Sequence, residues 1–302
     1  STGIWAGRHF ETDDAIIFVG ACGIAVRSIA PYVASKKSDP AVLVIDECGK
    51  FVISLLSGHL GGANELTLEV AELLGAVPVV TTATDLHHRF AVDVFAKKNC
   101  CGIQNMKAAK EVSAALLAGE PVGFYSEFPW TGKLPEGLEE SSEDTQDKPE
   151  IGIAVTIHQT CKPFTSTVQI IPRVVTLGMG CRRNKEADVI EKEASVCLAD
   201  ADIYSQAVEK LTSISIKKDE VGLQKLAEDW RIPFITFEEE ELSHAEGEFT
   251  PSEFVKKITG VNNVCERSAV LGAEQGRLIK NKTGRNGVTT ALALRNWEVH
   301  FE

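Results

Sequence analysis

Short apolar runs rich in β-branched residues alternate with helix-spaced segments through the first ninety residues, and this alternation constrains the fold more than any other feature. Ala15–Val19 ends at Gly20 and reads as a buried strand. Ile24, Ile29 and Val33 are spaced for one face of a following helix, whose regular part Pro31 should end early. Ala41–Ile45 is a second strand, which leads through the turn Asp46-Glu47-Cys48-Gly49 into Phe51–Leu56. Beyond the loop Ser57-Gly58-His59-Leu60-Gly61-Gly62-Ala63-Asn64, residues Leu66, Val70, Leu73 and Leu74 fall at i, i+4, i+7 and i+8, with Gly75 placed as a C′ glycine. Residues 77–82 form another strand. Such alternation builds a layered α/β structure with mostly parallel sheets flanked by helices.

A chain of 302 residues is long enough for two or three domains. We expect a first domain over 1–90, a small middle domain over 91–172 and a third over 173–302. The middle stretch carries a helix near 106–117 and strands near 122–125 and 151–157. Residues 135–150 hold seven acidic residues, one lysine and two prolines, and read as a solvated loop. The third domain opens at Arg173 with an apolar strand running into Gly178-Met179-Gly180-Cys181-Arg182-Arg183. Its later helix places Leu223, Leu226, Ala227 and Trp230 on one face, before the strand Phe234–Phe237. Ser252 is placed to cap a helix that Gly260 closes. No internal repeat is present.

Composition excludes several function classes. The apolar runs fall far short of the ~20 residues of a membrane span, and the first residues lack the apolar core of a secretory signal. A net charge of −12 argues against general nucleic-acid binding, which needs clustered Lys and Arg. Eight cysteines without a CxxC pair fit a reducing cytoplasm and neither a disulfide scaffold nor a zinc ribbon.

The glycine-rich loops each fail a nucleotide test. Arg183 stands where the third glycine of GxGxxG belongs, the 57–64 loop lacks the GK[ST] ending of a P-loop, and no lysine follows Gly20-Ala21-Cys22-Gly23. Adjacent His87 and His88 point apart on regular structure and do not make a metal site. A Ser57/His59 nucleophile pair lacks the GxSxG context and an assignable acid. His59, between glycines at a strand's carboxyl end and before a helix start, is the stronger candidate, because open α/β sheets bind ligands in that crevice. Asn64 and Glu65 could instead cap the helix's first turn.

Residues 23–31, 36–47, 52–65 and 81–85, taken together, closely resemble the CbiG family of cobalamin biosynthesis. Residues 177–183, 213–223, 252–254 and 264–269 are similar to that family's C-terminal domain, and the same part resembles stand-alone proteins such as CobE. Family members usually begin with an additional strand and helix, so the resemblance implies that this chain starts inside the family's first domain. It further implies hydrolysis of cobalt-precorrin-5A: the lactone between the ring A acetate and the extruded meso carbon opens, and that two-carbon unit leaves as acetaldehyde. It implies no protein-bound cofactor, because the substrate carries its own cobalt; and because both outer domains place glycine and basic residues just after apolar strands, a cleft between the N- and C-terminal domains is expected. The oligomeric state, a homo-oligomer included, stays open. The alternative is a non-catalytic carrier of the tetrapyrrole.

That chemistry needs a general base and donors for the developing oxyanion. His59 and the amides around Gly61 and Gly62 are the candidates, with Asp46 and Asp85 in reserve as carboxylates near strand ends. A polycarboxylate substrate is repelled by a −12 chain on average, so basic groups must concentrate where it binds. Arg27, Lys36, Arg182, Arg183 and Lys217 lie in the family-like segments. Ser57, Gly58, Gly61, Gly62, Asn64, Gly178, Gly180 and Glu266 complete the expected binding set.

Overall fold

The computed structural model describes residues 1–35, 38–59, 61–82, 90–142, 147–251 and 260–301. The chain divides into two units. One comprises Ser1–Lys98, Ala109–Val122 and Pro135–Leu138; the other comprises Asn99–Ala108, Gly123–Leu134 and Glu139–Glu302. Segments of the middle stretch therefore fall in both.

The first unit runs α1 (Thr2–His9), β1 (Ala15–Val19), α2 (Cys22–Ile29), β2 (Ala41–Ile45), β3 (Phe51–Leu56), α3 (Ala63–Leu74), β4 (Val77–Val79) and α4 (Val92–Lys98). Its sheet has the order β1-β2-β3-β4. The pairs β1/β2 and β3/β4 are parallel, whereas β2/β3 is an antiparallel hairpin. Strand β2 is apolar on both faces because both are covered. Val42 and Val44 join Ala6, Phe10, Ile16, Phe18, Ala25 and Ile29 on one side, and Ala41 and Leu43 join Val52, Ala63 and Ala71 on the other. Each large side chain so buried contributes about 1.5–3 kcal/mol.

Helices α2 and α3 only partly bury the faces expected of them. In α2 the buried residues are Ala25, Ser28 and Ile29, while Ile24 and Val33 stay exposed. In α3 the small residues Ala63, Thr67 and Ala71 turn inward, and Leu73 is 85% exposed. Small side chains at i, i+4 and i+8 let the helix lie close on the sheet, so Leu66 and Val70 pack along its flank. Gly75 does close α3 in the left-handed region (φ +64), where glycine pays no Cβ penalty.

The remaining elements are β5 (Cys101–Gln104), α5 (Met106–Ala118), β6 (Val122–Ser126), β7 (Trp130–Thr131), β8 (Leu138–Glu140), β9 (Ile151–Val155), β10 (Ser166–Pro172), β11 (Val175–Cys181), α6 (Ala187–Asp200), β12 (Val208–Ile214), α7 (Val221–Asp229), β13 (Phe234–Phe237), α8 (Glu239–Ser243), α9 (Cys265–Gly272), β14 (Arg277–Arg285), β15 (Val288–Leu294) and β16 (Val299–His300). Two five-stranded sheets result, ordered β5-β10-β9-β6-β8 and β13-β12-β11-β15-β14. In the second, β11, β12 and β13 are parallel, and β15 and β14 add an antiparallel edge. The stretch expected to be all loop over 135–150 supplies edge strand β8. The helix expected between Ser252 and Gly260 lies outside the described residues. Near the chain's end, β16 pairs in parallel with β7, and Phe301 packs edge-on against Phe124 and Trp130. Among the described residues no helix is long and apolar enough to cross a membrane.

Candidate functional site

Two places in the molecule carry the chemistry that the sequence points to, one in each unit. The first is the loop joining β3 to α3. Ser57 enters it at φ +59 and Gly62 leaves it at φ +83. The loop folds back on the helix start, so that Gly62 N–H donates to His59 O (3.0 Å), Ala63 N–H to Ser57 O (3.1 Å) and Asn64 N–H to Gly58 O (2.9 Å). These are the amides that a helix N-terminus would otherwise offer to an anion. Of the expected oxyanion donors, the amide of Gly62 and those of Ala63 and Asn64 beside it are thus spent inside the loop. Gly58 and Gly61 are glycines for packing: a Cβ would collide with the Asn64 side chain at the first and with Ser57 Cβ at the second. Asn64, buried, accepts from Ser54 Oγ (2.6 Å) and donates to Thr82 Oγ1 (3.0 Å). It ties the loop to the carboxyl ends of β3 and β4, which run side by side. Ser57 Oγ is buried and makes no hydrogen bond among the described residues, so it does not pair with His59.

His59 meets a carboxylate that the sequence reading missed. Its Nδ1 lies 3.2 Å and 3.3 Å from the two carboxyl oxygens of Asp93, and both side chains are more than four-fifths buried. Asp93 stands in the first turn of α4, and Lys97 follows four residues later on the same face. The Lys97 ammonium reaches over Gly62 and lies 3.7 Å from Glu65 Oε2. His59, Asp93 and Lys97 therefore converge on one loop. A carboxylate can only accept, so Nδ1 carries the proton and Nε2 is the basic nitrogen.

The reserve carboxylates are placed differently. Asp46 accepts from the amides of Phe51 (2.6 Å) and Cys48 (3.1 Å), closing the β2/β3 hairpin turn. The Phe51 amide holds its carboxyl below the usual value. Because β2 and β3 are antiparallel, that turn lies at the opposite end of the hairpin from His59. At ~3.3 Å per residue the two are roughly 16 Å apart, so Asp46 neither orients nor replaces His59. Asp85 and Lys36 lie outside the described residues, as do His87 and His88. Arg27 is exposed on the last turn of α2, within 3.4 Å of Gly23 O.

The second place is a cavity of ≈ 670 Å³ in the other unit. The end of β11 brings Gly180, Cys181, Arg182 and Arg183 to its rim, β12 ends there at Ile214 and is followed by Ile216 and Lys217, and the β14/β15 hairpin brings Lys282 and Arg285. Arg182, Arg183 and Lys282 have no carboxylate partner among the described residues, whereas Lys217 binds Glu220 at 2.8 Å and Arg285 reaches Asp200 at 3.3 Å. Burial works against the Glu220 charge, but Lys217 and the amides of Asn184 and Lys185 outweigh it and hold the carboxyl low. Burial pushes the Cys181 thiol up to about 11 and that of Cys265 to about 12, so both are protonated at neutral pH and inert as nucleophiles.

Two residues expected at this site serve the fold. A Cβ on Gly178 would overlap the Cys265 carbonyl oxygen, so that glycine lets α9 lie against β11. Glu266 is fully buried and accepts from Thr250 N–H and Oγ1, Asn263 Nδ2 and the Lys282 amide. Its bonds are internal, and one fixes the backbone of Lys282 at the cavity wall. Lys282 and Arg285 escaped the sequence reading, although Asn286-Gly287, both at positive φ, is the two-residue hairpin signal that places them.

A larger cavity of ≈ 1170 Å³ in the same unit is lined by Glu127, His158, Arg277, Lys280, Arg295 and Trp297, among others. There Lys280 and Arg295 face Asp200 and Glu209, so less positive charge is left for a ligand. Among the described residues no group of three or more His, Cys, Asp or Glu is gathered as for a metal ion.

Comparison with known proteins covers almost the whole chain. Family models match in order: Cobalamin synthesis G N-terminal over residues 5–85, Cobalamin biosynthesis central region over 90–172 and Cobalamin synthesis G C-terminus over 175–293. The chain is 37% identical over 300 residues to a cobalt-precorrin-5A hydrolase of Salmonella typhimurium, covering 96% of this chain and 84% of that protein. It is 36% identical over 299 residues to a cobalt-precorrin-5A hydrolase of Priestia megaterium, covering 94% and 79%. Protein CobE of a Sinorhizobium species is 29% identical over 121 residues, which cover 39% of this chain and 79% of CobE.

Proposed function

The chain belongs to the CbiG family of cobalamin-biosynthesis proteins, and on that premise we infer that it hydrolyses cobalt-precorrin-5A to cobalt-precorrin-5B and acetaldehyde. The observation that carries this is the identity of 36–37% to two such hydrolases along more than nine-tenths of the chain. The geometry supports a division of labour. In the first unit, His59 Nε2 takes a proton from water as the oxygen attacks the lactone carbonyl. The Lys97 ammonium is the donor for the developing oxyanion, in place of the spent amides. The acyl C–O bond then breaks, and the departing alkoxide takes up the proton. Neutral again at Nε2, His59 can then take that alcohol proton as the carbon–carbon bond breaks, the electron pair passing into the macrocycle while acetaldehyde leaves.

In the second unit, the cations Arg182, Arg183 and Lys282 around an apolar floor of Ile214, Ile216, Val264 and Val288 suit an amphipathic anion. A macrocycle edged with carboxylates is of that kind. Cobalt arrives with the substrate, and the steps above need no cofactor held by the protein. Eight cysteines, none in a disulfide, support a cytoplasmic setting. The similarity to CobE supports a second reading, in which this part of the chain serves tetrapyrrole binding alone. Incubating the purified chain with cobalt-precorrin-5A and measuring acetaldehyde tests the first reading. Stoichiometric binding without acetaldehyde would leave the second.

A further inference from the structure

We propose that Asp93 is a positioning residue for this reaction, acting through His59; the proposal rests on the reading of His59 as the base. Three observations carry it. Asp93 approaches His59 Nδ1 with both carboxyl oxygens, at 3.2 and 3.3 Å, a geometry that fixes the ring's rotation as well as its tautomer. The pair is more than four-fifths buried, so water competes little for the contact. The loop around His59 is locked by its own amides and by Asn64, which leaves the ring torsion as the freedom that Asp93 removes. With Nδ1–H bound to a carboxylate, the proton taken up at Nε2 during water attack is stabilised by the negative charge on the far side of the ring. The helix places Lys97 one turn beyond Asp93, so one short segment holds the base with an anion and faces the loop with a cation.

A purely structural role is the competing account, because Asp93 Oδ1 also accepts from the Val94 amide at the start of α4. The two roles separate in a double-mutant cycle on the full chain. Asp93→Asn should lower kcat for acetaldehyde release roughly 10²-fold, with KM and substrate affinity within about threefold. Asp93→Glu, which keeps the carboxylate, should recover a substantial part of that loss. In a His59→Ala background, Asp93→Asn should cost nothing further, since its route of action is gone. Unchanged kcat in Asp93→Asn, or the same loss with and without His59, overturns the proposal and leaves the hydrolase reading intact. Near-normal turnover by His59→Ala removes the base assignment itself and the proposal with it. Should Asp93→Asn fail to fold, Asp93→Glu with native melting behaviour decides: full loss of turnover there, with no partial recovery, counts against it.

Discussion

The loop at His59 and the cavity at Arg182 treat polarity in opposite ways. In the loop almost every polar group named has a partner: three helix-start amides bind loop carbonyls, Asn64 bridges Ser54 and Thr82, and His59 holds Asp93. At the cavity, Arg182, Arg183 and Lys282 stand without carboxylate partners among the described residues. A satisfied network is rigid and keeps a reacting group within a fraction of an ångström of its working position. Unpaired cations repel one another and so cost stability until an anion arrives. The first arrangement suits chemistry, the second capture.

Substitutions can break that contrast. His59→Ala should carry the largest effect, a fall in turnover of roughly 10²–10⁴-fold with substrate affinity nearly kept. A comparable loss of affinity, measured by titration, would show that the loop also captures. Replacing Arg182 and Arg183 together by alanine should weaken binding roughly 10–100-fold and flatten its salt dependence, with kcat at saturation little changed. The melting temperature should hold or rise slightly, because like charges are removed; a marked fall would mean that the arginines are structural. Asn64→Leu should destabilise the first unit by roughly 1–3 kcal/mol, since Ser54 and Thr82 lose their buried partner. Denaturant unfolding reads this directly, and an unchanged midpoint would show that the loop's hydrogen bonds are not what holds it.

The smallest effect concerns the one cavity-rim lysine whose carboxylate is held low. Glu220 has a depressed folded pKa, so its pairing with Lys217 contributes stability that is fully present above the ordinary carboxylate value of 4.5. The contribution is lost as pH falls through the lower folded value. Glu220→Gln should therefore narrow the stability difference between neutral and acidic pH. Melting curves that keep the wild-type dependence below pH 4.5 would assign that limb to other carboxylates.

How far the sequence reached can be traced element by element. Ala15–Val19, Ala41–Ile45, Phe51–Leu56 and Phe234–Phe237 are strands with the bounds that their short apolar runs suggest; Ala41–Ile45 is buried on both faces, whereas Ala15–Val19, expected to be buried, leaves Ile17 and Val19 exposed. Helices α2, α3, α5 and α7 follow from their periodicity, whereas α1, α4, α6, α8 and α9 went unread, and the facing of α2 and α3 was only partly legible. The i, i+4 leucines of α3 outshine Ala63, Thr67 and Ala71, although closeness of approach favours the small residues. His59 was visible from its glycine neighbours. Asp93 was not, since it lies 34 residues on, in a seven-residue helix with no periodicity to mark it. Glu266 looked available because charge normally faces solvent; four internal hydrogen bonds reverse that expectation.

The parallel pairing of β16 with β7 has a consequence for synthesis. His300 bonds to Thr131 across 169 residues of sequence, and Phe301 completes an aromatic cluster with Phe124 and Trp130. At about 5–20 residues per second, a ribosome needs roughly 10–30 s to travel from one strand to its mate. During that interval Phe124 and Trp130 are made but lack the ring that covers them, and the strand edge at Trp130 has no neighbour. The pairing can form only when Val299–Phe301 have left the exit tunnel. The interval between these two segments is therefore a window in which the nascent chain exposes an aromatic face and an unpaired strand edge.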